Sequence, residues 1–424
     1  MNDTIFAVSS GAPPAAIAVM RISGPDADAA VSALTSGKFP SPRHAALRTL
    51  RTAGELLDIA LVIRFPGPDS ATGENLVEFH LHGGRATVAA VCAALAKICG
   101  FRAAEPGEFT RRAFENGRID LSEAEGLSDL LAAETEHQRR AALTIASGGL
   151  SRVVETLRTA LLAASARVEA AIDFAEEDDV SPWPERQSVL NSIATQIDTM
   201  LANPPAERLR NGVRIAIAGP PNAGKSTLIN SLSAHEAAIV SPIAGTTRDV
   251  IEVPVVFHGL PLIFIDMAGL RVDSGDSIET IGIARAEAVI LSSDVVLWLG
   301  EPDLVPDRAN VIMIRAKADL GGAPEDTRLA VSVKTGMGLA ALAGAIADAA
   351  RAALPAPDSV ALNARQRASL SNLSIEARAA ADTDDLILSA EHLRRARVVT
   401  DRISGRAGVE NMLDALFGTF CIGK

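Results

Sequence analysis

The spacing of apolar residues divides the chain into stretches with different predicted secondary structure. Between residues 1 and about 118, alternating or β-branched runs such as AAIAVMRIS, DIALVIRF and ENLVEFHLH are separated by Gly and Pro, and the Ala-rich segment 86–98 has helical spacing. This mixture predicts an α/β domain. From 119 to about 207, apolar residues recur every three or four positions, which predicts several long helices.

A second α/β block begins after the Pro-rich segment 203–212 and ends near LPAPDS at 354–359. Its runs VRIAIAG, PLIFIDMAG, DVVLWLG and NVIMIRAKAD are typical of strands buried in a doubly wound parallel sheet. Helical spacing then resumes to residue 424. We therefore predict a multidomain α/β plus α fold, with domains listed in chain order: an α/β domain at 1–118, a discontinuous helical domain at 119–210 and 354–424, and an α/β domain inserted between its segments at 211–353.

Composition restricts the possible functions. A net charge of −12 argues against nucleic-acid binding driven by the overall charge of the protein, although a local basic patch or a basic partner could still provide it. The aromatic content is 3%, with no Tyr, so few residues are available for base stacking. The cysteines Cys92, Cys99 and Cys421 fit no zinc spacing, which suits a reducing compartment. No uncharged window reaches membrane-spanning length and no signal-peptide pattern is present. We expect a cytoplasmic protein that does not enter a membrane.

A phosphate-binding motif follows the first strand of the inserted domain. Gly219, Gly224, Lys225 and Ser226 satisfy G-x-x-x-x-G-K-[ST] between a predicted strand and a predicted helix. Backbone N–H groups of such a loop cradle phosphate oxygens, the lysine neutralises the β and γ phosphates, and the hydroxyl binds Mg²⁺. The motif predicts nucleoside triphosphate binding.

Two downstream segments indicate a GTPase. GTTRD at 245–249 supplies threonines, one of which can complete the Mg²⁺ shell. DMAG at 266–269 ends a strand with an acid, Asp266, that can hold the Mg²⁺ shell beside Ser226, and with a Gly whose N–H can reach the γ-phosphate. Asp319 can accept hydrogen bonds from guanine N1 and N2, and Lys317 can cover the base. Ala316 stands where the usual Asn would provide a purine contact and a tie to the phosphate loop. We therefore expect guanine selectivity with reduced affinity.

Four further segments point to one family. EFTRRAFENGRIDLSEAEGLSDLL at 108–131, MRISGP, GENLVEFHLHGG and the closing Cys421-Ile422-Gly423-Lys424 resemble the MnmE (TrmE) family of tRNA modification GTPases over essentially the whole chain. The resemblance implies a tetrahydrofolate-binding, dimerising N-terminal domain, a discontinuous helical domain and an inserted Ras-like P-loop GTPase domain. It also implies a homodimer that works with a flavin-dependent MnmG (GidA) partner in a heterotetramer or larger complex, with FAD on the partner.

The activity that the resemblance implies is a potassium-activated GTPase that modifies carbon 5 of the wobble uridine of certain tRNAs. The one-carbon unit would come from a tetrahydrofolate derivative, 5-formyl or 5,10-methylene, giving carboxymethylaminomethyl-type products. The positions similar to the family's folate contacts are Arg21, Glu78, Arg118 and Lys424. The arginines could hold the folate carboxylates and Glu78 the pterin N–H groups.

The resemblance also assigns the nucleotide site. Mg²⁺ would be held by Ser226 and Thr247, and Glu279 would orient the attacking water. A K⁺ ion, held by Asn222, Ser241, Ile243 and Thr246, would offset the charge that develops in the transition state. The full set of predicted GTP-binding residues is Gly219, Asn222, Ala223, Gly224, Lys225, Ser226, Thr227, Ser241, Pro242, Ile243, Ala244, Gly245, Thr246, Thr247, Asp266, Met267, Ala268, Gly269, Lys317, Asp319, Ser332, Val333 and Lys334.

Cys421 is the predicted redox or covalent participant, the alternative being an apolar filler beside Phe420. His80 and His82 have no further metal ligands in evident spacing, so a structural or cofactor-facing role is preferred. The HLRRAR segment at 392–397 is either a tRNA-binding stripe or a solvated helix face. Because Met267 and Ala316 depart from the family pattern, a folate-binding assembly protein with a degenerate G domain stays an alternative, as does a ribosome-assembly GTPase.

Overall fold

The computed structural model describes residues 3–173, 183–234, 237–238, 251–266, 287–307, 310–321, 328–406 and 410–423. The chain divides into two compact units, one made of Met1–Ser128 with Asp401–Lys424 and one of Asp129–Thr400. None of the helices in these described ranges is long and apolar enough to cross a membrane.

The thirteen α-helices and thirteen strands whose bounds both lie within the described ranges are numbered here in chain order. The helices are α1 Ala27–Leu34, α2 Arg85–Leu95, α3 Glu108–Glu115, α4 Leu121–Ala132, α5 Glu136–Ala146, α6 Gly149–Asp173, α7 Arg186–Leu201, α8 Glu207–Asn211, α9 Lys225–Ala234, α10 Leu339–Ala353, α11 Ala364–Asp382, α12 Leu386–Ser404 and α13 Glu410–Gly418. The strands are β1 Thr4–Val8, β2 Ile17–Ser23, β3 Ala46–Thr52, β4 Glu55–Phe65, β5 Leu76–His82, β6 Phe101–Ala103, β7 Val213–Ala218, β8 Ala237–Ala238, β9 Ile251–Phe257, β10 Leu260–Asp266, β11 Val295–Trp298, β12 Val311–Arg315 and β13 Leu329–Ala330.

The first unit is built on a six-stranded sheet with the order β3-β4-β5-β2-β1-β6. The pairs are antiparallel except β1 with β6. Since side chains alternate along a strand, Met20 and Ile22 of β2 and Phe79 of β5 point to one face, where they form a buried core with α1 and α2. The residues between them, including Arg21 and Glu78, are thereby left for the opposite face.

The second unit contains helices from two separated parts of the chain. Helix α7 packs along α11, and the Ser374 hydroxyl donates to Asp198 at 2.7 Å. Helix α11 begins with a capping box in which Asn363 and Gln366 bond each other's backbone N–H groups, which fixes the start of the second helical segment. The predicted meeting of helices from the two segments is confirmed.

The second unit also contains a seven-stranded sheet with the order β13-β12-β11-β7-β10-β9-β8. The five strands from β13 to β10 are parallel and their side chains, such as Ile215, Ile217, Phe264 and Leu297, are fully buried. Strand β7 lies in the middle, so the loop that follows it leaves the sheet where ligands bind in doubly wound folds. The predicted fold class is confirmed, and the boundaries at 118, 210 and 353 stay predictions.

Candidate functional site

The phosphate loop joins β7 to α9 in the conformation its sequence demands. Gly219 has φ +143°, and a Cβ there would lie 3.0 Å from the backbone carbon of Leu299, so only glycine fits. Asn222 is left-handed at φ +60° and exposed. The Lys225 ammonium donates to the carbonyls of Gly219 at 2.8 Å and Pro220 at 2.9 Å. The lysine therefore lies across the loop, where the phosphates of a nucleotide are bound in this motif.

Ser226 and Asp266 come together beside this loop. The Ser226 hydroxyl donates to Asp266 Oδ2 at 2.8 Å, although the two residues lie on different elements. Asp266 ends β10, the parallel neighbour of β7, and is 7% exposed. A hydroxyl and a carboxylate are oxygen ligands of the kind that Mg²⁺ prefers. The predicted pairing of these residues near one metal position fits this geometry.

The predicted base-recognition residues line one cavity of about 300 Å³. The lining residues are Ala223, Gly224, Thr227, Leu228, Ile314, Ala316, Lys317, Asp319, Leu320, Val331, Ser332, Val333 and Lys334. The buried Ser332 hydroxyl donates to Asp319 Oδ1 at 2.6 Å, and this hydrogen bond, with the nearby Lys334, holds the pKa of Asp319 below its usual value. The carboxylate is thus ionised and oriented, as an acceptor for guanine N–H groups must be.

A tie between the base loop and the phosphate loop comes from a different residue than the usual Asn. Lys317, left-handed at φ +56°, donates from Nζ to the carbonyl of Asn222 at 2.7 Å. Ala316 beside it is partly buried against the core of the inserted domain. Lys317 therefore links the two loops, as the usual Asn at position 316 would do. The alanine at position 316 has no polar side chain with which to replace the purine contact of that Asn.

Part of the predicted site lies outside the described residues. These positions are Ser241, Pro242, Ile243, Ala244, Gly245, Thr246, Thr247, Met267, Ala268, Gly269, Glu279 and Lys424. Their assignments stay predictions.

In the first unit, the predicted folate contacts Arg21 and Glu78 form an ion pair. They are opposite each other in the β2–β5 ladder, and Arg21 donates to Glu78 Oε1 from Nη2 at 3.1 Å and from Nε at 3.3 Å. His80 lies 3.2 Å from the other carboxylate oxygen, and the Phe109 ring lies 5.8 Å from the guanidinium. Arg118 is 3.6 Å from the Asp69 carboxylate and partly exposed. The sheet thus presents a half-exposed polar cluster opposite its apolar core.

The C-terminal segment is fastened to the same unit. The Ser9 hydroxyl donates to the Gly423 carbonyl at 2.7 Å, and Ile422 forms an isolated β-bridge with Pro106. Gly423 has φ +96°, and a Cβ there would lie 2.1 Å from the carbonyl oxygen of Val8. Ser9 carries no signal in the sequence, because its contact with Gly423 spans 414 positions and leaves no local pattern.

Cys421 lies within this fastened segment. Its neighbour Phe420 is 5% exposed and packs with Phe417 in a small core, whereas Cys421 itself is exposed. The alternative of a buried apolar filler is wrong for Cys421. An exposed thiol on an anchored segment is open to reaction, so the arrangement is compatible with a chemical role.

A buried charge network holds α3 against the start of the chain. Arg112, 2% exposed, donates to the carbonyl and carboxylate of Asp3 at 3.0 Å each, to Glu74 Oε2 at 3.1 Å and to Glu108 Oε1 at 3.0 Å. Burial alone would raise the pKa of Glu108, but hydrogen bonds from Arg102 and Arg112 outweigh it and hold the pKa below its usual value. No sequence pattern predicts this network, because its members lie on separate parts of the chain.

The remaining candidates are partnered. His82 bonds Asp58 at 2.7 Å, and His392 bonds Glu376 at 2.6 Å. Arg394 and Arg395 of the HLRRAR segment both bond Glu391, at 2.7 Å and 2.9 Å from their Nε atoms. These hydrogen bonds lower the pKa of Glu391 to about 2, so its negative charge offsets part of the stripe.

Comparison with known proteins covers both units. Residues 4–118 match the family model described as GTP-binding protein TrmE N-terminus, and residues 121–421 match the MnmE helical domain. The tRNA modification GTPase MnmE of Erythrobacter litoralis is 55% identical over 424 residues, and that of Novosphingobium aromaticivorans is 52% identical over 438, each alignment covering 100% of both chains. The protein of the same name from Zymomonas mobilis is 46% identical, over 99% of this chain and 100% of its own.

The two family models together match most of the chain, and relatives named MnmE are similar to it along its full length. The phosphate loop lies within this region of similarity. The chain therefore belongs to the MnmE family of tRNA modification GTPases.

Proposed function

We propose that this GTPase installs a carboxymethylaminomethyl-type group at carbon 5 of the wobble uridine of certain tRNAs. The observation that carries the proposal is the placement of Cys421, exposed on a segment fastened at Ser9, in the same compact unit as the Arg21–Glu78 cluster. A reactive thiol and a polar cluster in one unit suit a modification chemistry separate from nucleotide hydrolysis. GTP hydrolysis in the other unit then drives the conformational cycle.

The nucleotide site divides its tasks among three sets of residues. Lys225 and the loop N–H groups would hold the phosphates, Asp319 would select guanine, and Ser226 with Thr247 would hold Mg²⁺. The Ser226–Asp266 hydrogen bond supports this, since it places the hydroxyl where a second oxygen group is already oriented. Mg²⁺ supplies charge neutralisation at the β and γ phosphates.

A potassium ion would replace an arginine finger in this chain. Asn222 would provide one ligand, with Ser241, Ile243 and Thr246 as the others, and Glu279 would orient the attacking water. The exposed, left-handed Asn222 in the phosphate loop is compatible with that role. A monovalent cation held there would offset the negative charge that develops in the transition state.

The one-carbon unit would come from a tetrahydrofolate derivative bound by Arg21, Glu78, Arg118 and Lys424. The chemistry of the first three suits this ligand, since folate carries carboxylates for the arginines and pterin N–H donors for a carboxylate. Glu78 is held by Arg21 on Oε1 and adjoins His80 on Oε2, so its orientation is set before any ligand binds.

The partners belong to the same proposal. A flavoprotein of the MnmG (GidA) family would carry FAD and complete the modification in a heterotetramer or larger complex, and the chain itself would act as a homodimer in the cytoplasm. The overall net charge of −12 supports a mode in which tRNA is held partly by that partner.

The test is mass spectrometry of nucleosides from total tRNA of a strain that lacks the gene. We expect carbon-5 aminomethyl-type wobble uridines to disappear, to return with the wild-type gene and to stay absent with Cys421→Ser. The purified Cys421→Ser protein should hydrolyse GTP at the wild-type rate. An unchanged nucleoside profile in the deletion strain would refute the proposed chemistry, and loss of hydrolysis in Cys421→Ser would assign that residue a structural role instead.

A further inference from the structure

A basic edge of the first unit stands out in an acidic protein. The chain has 52 Asp and Glu residues among 424, yet residues 29–54 contain none of them while they include Lys38, Arg43, Arg48 and Arg51. Most of this stretch forms β3 and the segment leading to it, at the outer edge of the six-stranded sheet. A local positive surface therefore exists despite the net charge of −12.

Hydrogen bonds to backbone carbonyls hold the three arginine side chains of this stretch. Arg48 donates from Nη2 to the carbonyl of Lys38 and from Nη1 to that of Leu47, both at 2.8 Å. Arg51 donates to the carbonyl of Gly54 at 3.1 Å, and Arg43 donates to the carbonyl of Asp69. We call Lys38, Arg43, Arg48 and Arg51 the basic edge. Arg48 and Arg51 lie on β3, a strand of seven residues that is about 20 Å long, and Lys38 and Arg43 lie in the segment before it.

The charges of the basic edge are not cancelled by carboxylates. Within the part of the chain that the structure describes, none of its four residues makes an ion pair, and the side-chain hydrogen bonds of the three arginines go to neutral carbonyls. Of the acids nearby, Asp28 pairs with Arg64, Asp58 with His82 and Asp69 with Arg118, while Glu55 follows the turn after β3.

This distinguishes the basic edge from the other basic stripe of the molecule. Arg394 and Arg395 both bond Glu391, so two positive charges there face a carboxylate. A polyphosphate backbone is attracted by uncompensated cations, and each phosphate contact releases counterions from the nucleic acid. Phe39, 39% exposed and 4.0 Å from the Arg64 guanidinium, adds an aromatic group beside the basic edge.

We infer that the basic edge is a docking surface for the phosphate backbone of the substrate tRNA. The inference rests on the proposed function in that it takes tRNA as the substrate. It adds where the RNA is held, namely on the sheet edge of the unit that also carries Cys421 and the Arg21–Glu78 cluster. Since the contacts are to phosphates, they position the tRNA without reading its sequence.

The experiment compares the full-length wild type with two double variants in binding to an unmodified tRNA transcript that has uridine at the wobble position. Arg48→Gln with Arg51→Gln removes two charges from the basic edge and keeps hydrogen-bonding side chains. Arg394→Gln with Arg395→Gln removes the same number from the helical stripe. Far-UV circular dichroism and thermal unfolding confirm that both variants are folded.

We expect the basic-edge variant to bind the transcript about 20-fold more weakly near 0.15 M salt, with a salt slope smaller by about 1.5, as two lost phosphate contacts require. The helical-stripe variant should bind like the wild type. Equal affinity and slope for the basic-edge variant and the wild type would overturn the inference, as would a loss confined to the helical-stripe variant.

A third outcome would also overturn it. If tRNA binding is unchanged but the basic-edge variant fails to bind the flavoprotein partner, the surface docks a protein. Failure of the docking inference is separable from failure of the proposed chemistry, because the latter is decided by the nucleosides of the deletion strain carrying the wild-type gene.

Discussion

Replacement of Arg112 by Met tests the buried charge network of the first unit. The guanidinium is 2% exposed and serves Asp3, Glu74 and Glu108. Removing one partner of a buried ion pair costs about 3–5 kcal/mol. We expect the low end, about 3 kcal/mol, because Arg102 stays bonded to Glu108 and because Arg112 Nε already lacks a hydrogen-bond partner. The matched control is Arg139→Met, whose exposed pair with Glu136 should contribute nothing measurable.

The assay is hydrogen exchange of peptides that cover β1, β6 and α3. Both tryptophans, Trp183 and Trp298, lie in the other unit, so fluorescence would not report on this network directly. A loss of about 3 kcal/mol corresponds to roughly 150-fold faster exchange, because about 1.4 kcal/mol is a factor of ten. Peptides of the second unit provide an internal reference.

The pH dependence decides whether the loss is electrostatic. The pKa values of Asp3 and Glu108 are held below their usual values, although burial alone would raise them, so their stabilisation is complete above the unfolded pKa near 4 and is lost as pH falls through the folded pKa. Without Arg112 these carboxylates protonate more readily. The difference in stability between wild type and variant should therefore stay constant from pH 7 to about 4.5 and narrow as the pH falls below about 4. A loss below about 1 kcal/mol, or one that does not change with pH, would refute the reasoning.

Four further predictions concern function. Gly423→Ala should abolish tRNA modification and leave GTP hydrolysis intact, because the added Cβ would lie 2.1 Å from the carbonyl oxygen of Val8 and would release the C-terminal segment. Faster alkylation of Cys421 by iodoacetamide would report that release. The control Gly418→Ala, where the Cβ meets open space, should modify tRNA normally. Asp319→Asn should weaken GTP binding about 100-fold in a binding titration and strengthen the binding of xanthosine triphosphate. Equal competition by ATP and GTP for the wild type would contradict the assigned role of Asp319. Ser332→Ala removes the hydrogen bond that lowers the pKa of Asp319, so Asp319 should protonate at a higher pH. As the pH is lowered, this variant should therefore lose GTP binding at a higher pH than the wild type does. GTP hydrolysis should be faster in K⁺ than in Na⁺, and identical rates would refute the potassium site.

The sequence could predict those parts of the fold whose signal is local. The parallel strands β7, β10, β11 and β12 are continuous apolar runs, and β2, β4 and β5 alternate, so the sequence predicts all of these. Strand β3 was not predicted, because a bulge at Leu50–Arg51 breaks the alternation of ALRTLRT. Strand β9 was not predicted either, since Pro254 lies in its middle.

In the nucleotide site, too, the sequence predicts the features whose signal is local. The phosphate loop is contiguous in sequence. The spacing of its glycines and its lysine is therefore sufficient to predict it. The Ser332–Asp319 hydrogen bond links neighbouring loops at the carboxyl ends of β12 and β13, and the sequence predicted both residues without their contact.

Only the tertiary structure decided which distant groups meet. The Lys317 tie to the Asn222 carbonyl, the Ser9 anchor of Gly423 and the burial of Arg112 among three acids all join residues far apart in the chain. Such contacts have no periodicity, because they depend on how whole elements pack and not on the spacing of residues within one element. The sequence by itself thus determined the phosphate loop and those strands and helices that have a regular apolar pattern. Packing determined how the cations, the carboxylates and the exposed thiol are placed.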